Sequence, residues 1–125
     1  MYSKFSIALS FFILLCFGWT GNLAWAHAYP TVSSPANNAV LKDSPKEARI
    51  QFTEGLELAF SRITVKGSNG EVVSQGTVRQ PAPDTLAIDL TPLRPGNYVV
   101  EWQVLSVDTH ITEGVLRFTL DPKGK

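Results

Sequence analysis

The chain has almost no sulfur. Its 125 residues include one cysteine and one methionine, and Cys16 and Met1 both fall within the first 26 positions. A disulfide framework is excluded, and beyond residue 26 so is any thiolate or thioether site. An excess of one charge is also lacking. Eleven Lys and Arg stand against eleven Asp and Glu, with no basic cluster, which argues against nucleic acid or an anionic membrane surface as a partner. After residue 26 no apolar run approaches the roughly 20 residues of a membrane span, so that part of the chain is not expected to cross a membrane. Nor does any window of 11 or more residues hold a helical period there. Histidine is scarce: His27 and His110 are the only two.

What is present begins with a leader. Lys4 is its only charge, and an apolar stretch runs from Phe5 to Phe17. Ala24-Trp25-Ala26 has the small-x-small form that a signal peptidase accepts. Ile13-Leu14-Leu15, ahead of Cys16, lacks the small residue that a lipoprotein cut requires. Residues 1–26 are therefore expected to be a cleaved signal peptide, and residues 27–125 one exported domain of about 100 residues with a modest core. Export without cysteine suits the bacterial periplasm.

The exported part reads as short strands broken by turns. Ile50 and Phe52 alternate with polar neighbours, as do Ile63 and Val65, and Leu86, Ile88 and Leu90 alternate with Thr85, Ala87 and Asp89. Tyr98, Val100, Trp102 and Val104 form one inward face, and Leu116, Phe118 and Leu120 another. "GSNG" at 67–70 predicts a hairpin turn into Glu71-Val72-Val73 rather than a phosphate loop, because no helix follows it. Pro30, Pro35, Pro45, Pro81, Pro83, Pro92 and Pro95 are expected between strands. "PLRPGNY" resembles a tyrosine corner ending at Tyr98. About seven strands at this spacing predict an all-β, immunoglobulin-like antiparallel sandwich. Asp121 to Lys125 reads as a frayed tail.

Cleavage after Ala26 would make His27 the first residue, with a free amine beside its imidazole. Amine and Nδ1 of one residue close a chelate ring. His110 lies in "SVDTHITEG", where a two-residue step puts Asp108 and His110 on one face if the chain is extended. Alone, an Asp-x-His pair is ordinarily a surface pair at a strand end. Joined to an N-terminal histidine it completes three nitrogens and one oxygen, a tetragonal set of the kind Cu(II) favours. Ser106, Asp108 and His110 contain the atoms of a hydrolytic triad, but in a row along one strand they would not converge on a substrate.

The exported part resembles the CopC-like copper-binding proteins of the bacterial periplasm over nearly its whole length. "HAYPTVSSPANNAVL" is similar to the family's mature N-terminus, with its leading His and S-x-P-A segment. "IQFTEGLELAFSRITV" is similar to its F-[ST]-E-x-[LV] strand, and "LRPGNYVVEWQVLSVDTHITEGVLRFTL" to its G-x-Y-x-V-x-W…S-x-D-x-H…G-x-x-x-F pattern. The resemblance implies a β-sandwich that binds one Cu(II) per chain through the His27 amine and imidazole, Asp108 and His110. Glu54 matches an acidic residue near that site, either as an axial ligand or as an acceptor for the amine. Many members also carry a methionine-rich Cu(I) segment, which this chain lacks. The implied role is a non-enzymatic, monomeric periplasmic protein for copper resistance or homeostasis. It would buffer Cu(II) or deliver it to a CopD-like inner-membrane protein. An alternative is a small oxidative enzyme of the copper-brace type. Asp108 would then occupy a coordination position that oxygen needs, and the domain is small for a substrate platform.

Overall fold

The computed structural model describes residues 27–124. The expected signal peptide, residues 1–26, lies outside the described residues. Among the described residues eight strands form: β1 (Pro30–Ser34), β2 (Ala39–Leu41), β3 (Glu47–Phe52), β4 (Arg62–Gly67), β5 (Ser74–Ala82), β6 (Thr85–Leu90), β7 (Gly96–Leu105) and β8 (Ile111–Leu120). They build two four-stranded sheets, ordered β1-β3-β6-β5 and β2-β8-β7-β4. Every pairing within the sheets is antiparallel except β2 with β8, which is parallel. One 3-10 turn, Leu58–Phe60, precedes β4, and no helix among the described residues is long and apolar enough to cross a membrane.

The alternating residues fill the space between the sheets. Ala48, Ile50 and Phe52 of β3 and Leu86, Ile88 and Leu90 of β6 face Ile63, Val65, Tyr98, Val100, Trp102, Val104, Phe118 and Leu120 of the other sheet, and all are buried. Phe52 meets Trp102 edge-on across the layers at 5.3 Å between ring centroids, a geometry aromatic pairs favour. Tyr98 is a tyrosine corner, its hydroxyl donating to the Arg94 carbonyl at 2.5 Å. Trp102 lies over Gly114, its partner on β8. A Cβ at Gly114 would sit 2.6 Å from the indole Cζ2. Gly114→Ala is therefore expected to destabilise the domain by roughly 1–3 kcal/mol, the usual cost of overpacking. Thermal denaturation checks this, and an unchanged midpoint would show that the indole can move aside.

Several elements differ from the expectation. Pro30 and Pro81 lie within strands, but β1 and β5 are the edges of their sheet, where a missing N–H breaks no ladder on the open side. The turn at 67–70 forms, with the Gly70 amide donating to the Gly67 carbonyl at 3.0 Å. Glu71–Val73 nevertheless returns only one isolated bridge, Lys66 with Val72. The chain then crosses to the other sheet and pairs with β6 as β5. The tail is also tied down: the Asp121 amide donates to the Leu41 carbonyl at 2.8 Å, and Gly124 closes a turn onto Asp121.

Candidate metal centre

β7 and β8 are joined by the turn Ser106–His110, which stands at one end of the sandwich. The Ser106 amide donates to the His110 carbonyl and the Thr109 amide to the Ser106 carbonyl, both at 2.9 Å. Thr109 has φ of 72°, a left-handed conformation that β-branched residues rarely adopt. The segment is thus a tight turn, not the extended chain expected from the sequence. Asp108 and His110 still meet, because the turn folds them together: Asp108 Oδ1 lies 3.5 Å from His110 Nδ1.

Ser106 organises this turn. It is 0% exposed; its hydroxyl donates to Asp108 Oδ1 and its Oγ accepts the His110 amide at 3.2 Å. The triad reading fails on this burial rather than on a row of side chains, since the serine oxygen cannot reach a substrate. The Ser106 hydrogen bond is the main reason the Asp108 carboxyl is held below its ordinary range; desolvation opposes it, and the neighbouring His110 adds to the lowering. A lowered carboxylate pKa favours the folded state above the unfolded pKa, and that contribution fades as pH falls through the folded value. In the metal-free protein Asp108 is expected to titrate below an ordinary aspartate, and Ser106→Ala to move its midpoint upward. Carboxyl-carbon NMR over an acid titration reads both values; an unmoved midpoint would remove Ser106 as the cause.

The first described residues come to the same end. Ala28 is wholly buried and belongs to the core cluster, so the chain is plugged between the sheets one residue after His27. The Tyr29 amide donates to Thr53 Oγ1 at 3.0 Å, and the Thr53 amide returns to the Tyr29 carbonyl at 2.9 Å. The His27 and His110 rings stand 5.3 Å apart between centroids, at 79°. With metal–nitrogen bonds of about 2.0 Å, two imidazoles on one ion have centroids roughly 4.5–6.4 Å apart, so this spacing suits a shared ion. Tyr29 flanks His27 at 6.1 Å between centroids.

Glu54 follows β3 in the loop whose Gly55 carbonyl accepts the Val107 amide at 3.0 Å and whose Leu56 bridges Ser106. That contact brings the loop to the β7–β8 turn. Glu54 Oε2 is buried and has no hydrogen-bond partner among the described residues, a costly state for a carboxylate unless a donor or cation meets it. The structure therefore pairs His27 with His110, and Asp108 with His110. Among the described residues no three His, Cys, Asp or Glu side chains converge as a ready-made metal cluster. Sequence reasoning missed Thr53 and Thr112 at this end, where no motif marks them; it noticed Ser106 only as a triad candidate.

The CopC domain profile matches residues 31–121. The chain is 35% identical over 99 residues to protein YobA of Escherichia coli strain K12, covering 77% of this chain and 80% of that protein. It is 32% identical over 111 residues to the copper transport protein CutJ of Bacillus subtilis strain 168, covering 86% of this chain but 20% of CutJ. The crystal structure of CopC from Methylosinus trichosporium OB3b superposes with a TM-score of 0.69 at 35% identity, covering 79% of this chain and 98% of that one.

Proposed function

We propose, because this chain belongs to the CopC family of copper-handling proteins, that its mature form is a periplasmic carrier holding one Cu(II) ion. The donors are the His27 amine and imidazole, the Asp108 carboxylate and the His110 imidazole. One observation carries this reading: the only two histidines of the chain, from its opposite ends, face each other at 5.3 Å. Asp108 lies beside one of them, and three nitrogens with one oxygen suit Cu(II). A free amine, positively charged until it binds copper, is also a fitting donor for the buried oxygen of Glu54, so Glu54 is assigned as its acceptor rather than as an axial ligand.

The surroundings favour a carrier over an enzyme. Tyr29, Leu58, Phe60, Val107 and Ile111 are large apolar side chains left exposed. Val107 and Ile111 adjoin Asp108 and His110 in sequence, and Tyr29 follows His27 by two residues. Exposed apolar groups beside a site suit protein contact, here delivery to a CopD-like membrane protein. CutJ, a copper transport protein in which the region like this chain spans one fifth of the length, supports a transport role.

The test is the mature protein recovered from cells. Its intact mass should begin at His27, and it should take up one Cu(II) with a tetragonal electron paramagnetic resonance signal split by nitrogen. With a reductant present, oxygen consumption should not exceed that of the metal-free control. A chain beginning at Ala28 or later, or copper bound without nitrogen splitting, would overturn the assignment.

A further inference from the structure

Two threonines outside the donor set hold the chain that carries His27. Thr53 follows β3 in one sheet and Thr112 lies in β8 of the other. Thr53 Oγ1 donates to the His27 carbonyl at 3.2 Å while accepting the Tyr29 amide at 3.0 Å. Thr112 Oγ1 donates to the Ala28 carbonyl at 2.7 Å. His27 and Ala28 precede β1, so strand pairing does not place them. Each of their carbonyls is met by a threonine hydroxyl, one just past the end of β3 and one within β8, while the Ala28 methyl is buried in the core.

We infer that Thr53 and Thr112 are positioning residues for the copper site, holding the main chain so that the His27 amine and imidazole already face His110 before the ion arrives. This rests on the Cu(II) reading above. A chain terminus is ordinarily the most mobile part of a domain. A chelate built on a loose terminus would have to order it on binding, and that lost freedom would weaken affinity. Hydroxyl groups held at the end of β3 and within β8 remove the loss in advance. The hydrogen bonds fix the direction of the backbone at His27, and the Ala28 plug fixes its depth. Neither threonine need touch the ion.

The experiment compares Thr112→Val and Thr53→Val in the mature protein beginning at His27 and in a protein carrying one extra residue ahead of it. Cu(II) affinity is read by chelator competition. In the native frame each valine should weaken binding about tenfold, the scale of one lost hydrogen bond, while Thr112→Ser, which keeps the donor, should bind like the parent. In the extended frame, where only the His27 imidazole is left to be positioned, the same valines should cost less than in the native frame, about threefold or less. Parent-like binding by both valine variants in the native frame would overturn the inference, and so would equal losses in both frames, the mark of a merely structural role. Thr53 is exposed, so its variant keeps the test intact if Thr112→Val does not fold. Equal Cu(II) binding by the unsubstituted native and extended proteins would instead overturn the chelate reading itself, and this inference with it.

Discussion

Adding one residue ahead of His27 is expected to lower Cu(II) affinity at least about 100-fold, on the order of 3 kcal/mol. The extension turns the terminal amine into an amide, whose nitrogen binds a metal only after its proton has been displaced and so is a costlier donor than the free amine. The chelate ring then opens, and the His27 imidazole is left as a single donor. The chain cannot compensate by sliding, because Ala28 is buried in the core and Tyr29 is hydrogen-bonded to Thr53 in both directions. Folding should be unchanged, since the added residue precedes every strand. His110→Ala and Asp108→Ala should also weaken binding while leaving the domain folded. The β7–β8 turn is held by its main chain and Ser106, so either variant keeps most of that frame. Chelator competition against the native protein measures each loss; an extended protein as tight as the native one would sink the amine assignment.

The second large effect is redox selectivity: Cu(I) is expected to bind at least about a thousandfold more weakly than Cu(II). The proposed donors are amine, imidazole and carboxylate, and no cysteine or methionine occurs after residue 26. Soft sulfur ligands are what select Cu(I). For a one-electron couple each tenfold difference in affinity moves the potential by about 59 mV. A thousandfold preference therefore lowers the potential of bound copper by roughly 180 mV. Such a site resists reduction, which suits a carrier and opposes monooxygenase chemistry, since the latter must pass through Cu(I). Separate titrations with a Cu(II) chelator in air and a Cu(I) chelator without oxygen give the two constants. Comparable affinities would reject the Cu(II)-only reading and restore the copper-brace enzyme as a live alternative.

Some elements were legible in the sequence because they depend on side-chain period alone. β3, β4, β7 and the second half of β8 put an apolar residue at every second position, as a half-buried strand must, and β6 does the same with Leu86, Ile88 and Leu90 although Ala87 leaves it buried on both faces. β5, "SQGTVRQPA", shows no such run. It is a strand because β6 offers it a hydrogen-bonding edge, and pairing of that kind overrides intrinsic preference. β2 is three residues long and lies parallel to β8, too short for any period to register. Local turn chemistry could place a reversal at 67–70, but not the change of sheet after Val73.

The same division runs through the candidate site. Composition and order alone determined that sulfur is absent after residue 26, that only two histidines exist, and that one of them stands directly after a cleavage-type motif. The one-dimensional pattern also determined the sandwich class, because inward faces repeat at a spacing only strands can use. Tertiary structure alone decided that His27 and His110 face one another, since they reach the same end of the sandwich from opposite ends of the chain. It also decided that Asp108 meets His110 through a tight turn with Thr109 left-handed, not along an extended strand. Thr53 and Thr112 belong to this second class, because a hydroxyl that holds the carbonyl of a distant residue is defined by where the chain passes and leaves no spacing to read.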